Sequence, residues 1–158
     1  DAMNAAWGGI AGGDKIFLCL SAEHRTVANI LHRKAFTVSV ADEAHLVEAD
    51  YVGLVSGNEV PDKLARSGFH VTKSAFVDAP VIDELPLVLE CRLLRYDPDT
   101  HFMLGEIVNA GADEAVLNEA GMIDPAKLKP ITFDPANGAY WSLGEKVGNA
   151  FADGNKLK

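Results

Sequence analysis

The chain has 158 residues, 48% apolar and 23% charged, the proportions of a folded globular protein and not of a disordered or fibrous one. Lys and Arg total 14 against 23 Asp and Glu, a net charge of −9 that repels phosphate backbones and anionic membranes and so argues against general nucleic-acid or membrane partners. No apolar run approaches the roughly 20 residues that span a bilayer. No signal peptide is recognised in the sequence, and a cytoplasmic protein is expected.

The opening, Trp7 to Gly13, is rich in small residues. Ile16 to Leu20 reads as a strand. Ser21 reads as the N-cap of a helix through about Arg33, with Val27, Ile30 and Leu31 on one face. Phe36 to Val40 alternates as a half-buried strand does. Asp42 should cap a helix from Glu43 to Tyr51, with Ala44, Val47 and Tyr51 inward. Between Asp42 and Asp62 there are six acids and no Lys or Arg, the pattern of a solvated face. A short helix from Val60 to Arg66 should stop at Gly68, since glycine suits the left-handed position after a helix. Phe69 to Lys73, Leu87 to Tyr96 and His101 to Asn109 read as strands, the last two joined by a turn at Tyr96 to Thr100. Asp113 to Ala120 reads as a helix, Ile131 to Phe133 and Ala139 to Trp141 as short strands, and Leu143 to Phe151 as a closing helix. Crossover helices do not space the strands regularly, so an antiparallel barrel decorated with helices fits better than a doubly wound sheet.

Common signatures of chemistry are missing. Gly8, Gly9, Gly12 and Gly13 make neither GxGxxG nor a P-loop, because Ile10 and Asp14 stand at the wrong positions. Ser56 and Ser142 lack the flanking glycines of a nucleophile elbow. The five histidines have no metal-ligand spacing, and no metal is expected. Cys19 and Cys91 form no CxxC pair; each sits in an apolar run and is expected as a buried free thiol. Two turns stand out. Ser21, Arg25 and Thr26 open a helix, whose free N–H groups suit a phosphate, and Ser56-Gly57-Asn58 can aim hydroxyl and N–H groups at an anion. Each turn also reads as ordinary capping.

Several blocks in order resemble the flavin reductase family of FMN-binding split β-barrel proteins, which includes flavoredoxin. They are Met3 to Gly9, Thr26 to Ile30, Phe36 to Ser39, Val55 to Gly57 with Val60 to Leu64, Val77 to Ile82, Leu89 to Cys91, Leu104 to Val108, and Tyr140 to Phe151. Many relatives have Asn where Asp1 stands and Thr where Asn4 stands. The resemblance implies one domain over residues 1–158, mainly β, a split, antiparallel, Greek-key-like barrel with peripheral helices and without the family's N-terminal strand. It implies FMN as cofactor, NADH or NADPH as electron donor and a homodimer. The implied activity is that of a flavin reductase transferring hydride from NAD(P)H to flavin. The alternatives are a flavoredoxin-like electron carrier served by a redox protein partner, and a flavin-binding module without turnover. Carried over, Asn4, Ala5 and Ala6 would lie along the isoalloxazine, while Ser21, His24, Arg25 and Thr26 would hold the phosphate, with Ser56 and Gly57 opposite. Trp7 would pack on the ring or, as aromatics in such strands more often do, in the core. Tyr140 would wall the substrate site or pack in the dimer. His101 is the nicotinamide-side candidate.

Overall fold

A computed structural model describes residues 1–158. Its centre is a five-stranded antiparallel sheet ordered β1-β2-β7-β6-β3. The strands are β1 (Gly8–Ile10), β2 (Lys15–Cys19), β3 (Ala35–Ser39), β6 (Leu87–Asp97) and β7 (Phe102–Ala112). The sheet is organised by the β6–β7 hairpin, whose two 11-residue strands run beside each other with irregularities after Glu90 and Leu93. Two small ribbons flank it: β4 (Val71–Lys73) with β5 (Pro80–Ile82), and β8 (Ile131–Asp134) with β9 (Ala139–Ser142). The helices are α1 (Arg25–Arg33), α2 (Leu46–Leu54), α3 (Lys63–Ser67) and α4 (Pro125–Leu128).

Two apolar clusters form. The larger joins Ile16, Leu18 and Leu20 to Val27 and Ile30 of α1, Phe36, Cys91 and Met103, so the alternation in β2 and the inward face of α1 meet as the pattern requires. The smaller joins Val52 of α2 to Phe69 and Leu85. α3 ends at Gly68 with φ 88°, the left-handed geometry expected of it.

Several expectations need correction. The cap of α1 is His24, not Ser21. α2 starts three residues later than its sequence suggests, because Asp42 to His45 are held by other partners. Asp42 bridges Pro130, the Glu43 amide donates to the Lys129 carbonyl, and the Asp42 carboxylate accepts from the His45 amide at 3.0 Å and contacts its Nδ1 at 2.8 Å. Ala49 and Val52 are the buried residues and Tyr51 packs on the smaller cluster as expected, while Val47 is exposed and Ala44 lies exposed before the helix. Nor is the acidic stretch wholly solvated, since Asp42 is buried and Asp50 half-buried. The segment after Asp113 makes only a 3-10 turn, Glu114–Val116, because Leu117 then bridges Ile123. Phe69 and His70 precede their strand instead of joining it. Leu143 to Phe151 forms no helix. It is an exposed arm in which Val147 and Phe151 touch almost nothing, at 102% and 105% exposure. Cys91 is buried, and burial pushes its thiol up to about 12, whereas Cys19 is exposed at the end of β2.

Candidate functional site

Two cavities share a rim formed by Asp1, Met3, Thr26 and Val52. The larger, about 760 Å³, lies between the two apolar clusters, with Leu18, Ile30 and Phe36 from one and Val52, Phe69 and Leu85 from the other. That volume is within the usual range of small-molecule sites, roughly 300–1,000 Å³. About two thirds of its lining residues are apolar. Asn4, Ala5 and Ala6 form one wall, and Thr37 to Ala41 run along another. At its edge Arg33 and Lys73 share the Asp78 carboxylate, at 2.9 and 3.4 Å, and hold it below the usual carboxylate range.

The smaller cavity, about 180 Å³, is built differently. His24, Arg25 and Thr26 come from the start of α1, and Ser56 and Gly57 from the turn after α2. Asn58 ties the two turns together, its Nδ2 donating to the Glu23 carbonyl at 3.0 Å and its amide to Ser56 Oγ at 3.2 Å. No side chain caps α1, and its first turn carries no acid, so its leading N–H groups have no side-chain acceptor. Arg25 has no ion-pair partner.

Lys63 is a feature the sequence reading passed over. Its ammonium is buried and donates to the Val52 and Val55 carbonyls at the end of α2, each at 3.0 Å. Desolvation lowers its affinity for the proton. It lies 3.5 Å from the Asp1 carboxylate, which also accepts from Thr26 Oγ1 at 2.7 Å. A Cβ on Gly57 would come within 2.6 Å of that same carboxylate, so the glycine leaves room for it. An anionic group thus already sits among a cation, a hydroxyl and a glycine turn. The one available signal was that Lys63 is the first cation after Lys34.

The structure gathers Asn4, Ala5, Ala6 and Thr26 at the larger cavity, and His24, Arg25, Thr26, Ser56 and Gly57 at the smaller. Three candidates line neither. Ser21 only accepts weakly from the Glu23 amide, at 3.5 Å. Trp7 is neither in the core nor on a cavity wall; it is 56% exposed, with its ring edge-on to Phe133 at 6.4 Å. His101, at φ 60°, closes the β6–β7 turn, and its carbonyl accepts from the Leu20 amide at 2.8 Å. Tyr140 does wall the larger cavity, and its hydroxyl touches both Asn4 and Asp50.

Apolar walls that can sandwich a flat ring, beside a cationic, N–H-rich recess that can take a phosphate, fit the chemistry of a flavin mononucleotide. Residues 14–132 match the model of the flavin reductase like domain. The chain is similar to flavoredoxin of Desulfovibrio vulgaris (Miyazaki F), at 35% identity and a TM-score of 0.91 over 96% of this chain and 83% of that one. It is also similar to flavoredoxin from Methanosarcina acetivorans, at 29% identity and a TM-score of 0.88 over 99% of this chain and 84% of the other. An uncharacterized protein of Aquifex aeolicus (strain VF5) is 32% identical over 111 residues, which are 67% of this chain. The match spans 55% of that relative's length. The mainly β, antiparallel architecture is that of the split-barrel flavin reductase-like proteins.

Proposed function

The chain belongs to the flavin reductase like domain family, and we propose that it holds FMN across its two cavities, ring in the larger and phosphate in the smaller, and uses it to take hydride from NADH or NADPH. The observation that carries this is the shared rim: an apolar chamber and a cationic recess meet at Thr26. When bound, the flavin supplies the two-electron chemistry, and the protein supplies position and electrostatics.

Each residue then has a definite task. Arg25 and the first N–H groups of α1 offer charge-assisted hydrogen bonds to a phosphate, which an otherwise acidic protein needs locally. Ser56 and Gly57 close the opposite side, where the glycine leaves room for the Asp1 carboxylate. Ala5 and Ala6 let the backbone approach the ring edge, and Asn4 adds a carboxamide. Hydride transfer requires no proton donor, so no side chain is assigned that part. Neither cavity is built with His101, so a nicotinamide-side task for it would need a neighbouring chain.

A homodimer belongs to the same reading. The arm from Leu143 to Phe151 carries apolar side chains that its own chain leaves bare, and the hydrogen bonds beyond Asn149 are all local to that end. A second copy of the chain would cover it and wall the open cavity. The free thiols suit a reducing cytoplasm.

A second reading, an FMN electron carrier serving a redox protein, is favoured by the similarity to two flavoredoxins. Oxidation of NADH or NADPH by the purified protein with added FMN tests the proposal. Turnover supports the reductase, and flavin binding without turnover supports the carrier. A protein that binds no flavin supports neither.

A further inference from the structure

Asn4, Tyr140 and Asp50 come from the segment before β1, from β9 and from α2, yet they form one hydrogen-bonded chain. Tyr140 Oη is 2.8 Å from Asp50 Oδ1 and 3.1 Å from Asn4 Nδ2. The direction of this chain follows from the groups themselves. A carboxylate can only accept, so the single hydroxyl proton of Tyr140 goes to Asp50. The phenol oxygen is then left as an acceptor, and the carboxamide of Asn4 must present its NH2 side to it. Asn4 Oδ1 has no partner within the chain, and Asn4 lines the larger cavity. Gly53 holds the other flank: a Cβ there would come within 2.7 Å of Asn4 Cβ, so α2 and Asn4 are in close approach. The Tyr140 ring is itself braced against Phe133, with centroids 5.8 Å apart.

We propose that Asp50 and Tyr140 are positioning residues that fix the rotation of the Asn4 carboxamide, so that its oxygen is offered to an N–H on the edge of the bound ring. This rests on the flavin reading above and adds to it a specificity: the larger cavity selects a planar heterocycle that has an edge N–H to donate. Asp50 does not line the cavity and acts only through Tyr140. Burial first, and then the hydrogen bond and charge of Asp50, raise the Tyr140 phenol above its ordinary value. The phenol is therefore neutral, and able to donate, throughout the physiological range.

Two variants and two flavins test this. Tyr140→Phe deletes the relay. Asp50→Asn keeps its shape but can donate as well as accept, which releases the amide to turn over. Binding of FMN and of riboflavin would be followed by flavin fluorescence, and the visible bands of the bound flavin recorded. Both variants should weaken both flavins equally, by roughly three- to tenfold, the scale of one neutral hydrogen bond. Both should also move the visible bands, which follow hydrogen bonding at the ring. In the ligand-free protein, Asp50→Asn should bring the Tyr140 titration, read by phenolate absorbance, back towards its ordinary value. Wild-type affinity and bands in both variants would overturn the assignment, as would a loss confined to FMN. If wild-type protein binds neither flavin, the flavin reading fails and this inference with it. If it binds and only the variants are silent, the relay alone is wrong. A thermal melt of each variant shows whether the fold is retained, and Asp50→Asn, half-buried and isosteric, carries the test should Tyr140→Phe not fold.

Discussion

The two cavities share four rim residues and little else. The larger is walled by two apolar clusters, with a polar chain from Asp50 through Tyr140 to Asn4 on one side and Arg33 and Lys73 paired with Asp78 at its edge. The smaller brings together cations, hydroxyls and uncapped N–H groups, with Lys63 beneath and the Asp1 carboxylate between Lys63, Thr26 and Gly57. Burial and shape govern the first; charge governs the second. A ligand with a flat ring and a phosphate tail would therefore be held at its two ends by different physics, and each end can be weakened without the other.

The largest effect should come from the floor of the smaller cavity. Lys63→Met leaves the Val52 and Val55 carbonyls without their charged donor and Asp1 without its cation. Hydrogen bonds to charged groups contribute about 1.5–3 kcal/mol each, so a stability loss of about 3 kcal/mol is expected by denaturant titration, even without ligand. Unchanged stability would mean that this ammonium does not brace the end of α2.

Arg25→Ala isolates the charge of the recess without touching the fold, because Arg25 is exposed and has no ion-pair partner. FMN binding should weaken by about 1.5–3 kcal/mol and riboflavin binding hardly at all. Equal losses for the two flavins would make Arg25 structural and move the phosphate elsewhere.

Gly53 lines the smaller cavity, but Gly53→Ala reaches the larger one through Asn4. The added methyl meets Asn4 Cβ at 2.7 Å and must displace it, an overpacking cost of about 1–3 kcal/mol, with the lower end expected because Asn4 is only half-buried and precedes the first strand. Here both flavins should lose affinity together, the opposite signature to Arg25→Ala. A loss for FMN alone would erase the distinction between the cavities.

The smallest effect concerns the thiols. Cys91, in the cluster beside the larger cavity and with its thiol pushed up to about 12, should resist a thiol reagent at pH 8, while exposed Cys19 reacts. One equivalent should titrate in the native protein and two after denaturation. Two in the native state would show that the cluster opens.

Much of this layout was legible in the chain, and the rest was not for identifiable reasons. The alternation in Phe36 to Ser39, the long apolar runs of β6 and β7 and the turn between them carry their own local signals. β1 does not, since Gly8-Gly9-Ile10 has almost no side chains to pattern and is a strand only because β2 pairs with it. α2 begins late because Pro130 and Lys129, far along the chain, take the backbone groups of Asp42 and Glu43. Leu143, Val147 and Phe151 have helical spacing, but a segment this short forms no stable helix without a surface to pack on. His24, Arg25, Thr26, Ser56 and Gly57 could be grouped from the sequence because they cluster in two turns with recognisable chemistry. The Asp50–Tyr140 contact joins residues 90 positions apart, and no local pattern announces it.

The most direct measurement is a parallel titration of the wild-type protein with FMN and with riboflavin. Bound flavin should show quenched fluorescence with either ligand, because both bring the same ring to the apolar chamber. FMN should bind tighter by about the free energy of one or two charge-assisted hydrogen bonds, roughly 1.5–5 kcal/mol, because only it reaches the cationic recess. Equal affinities, or no binding of FMN, would contradict the assignment of the two cavities to the two ends of one cofactor.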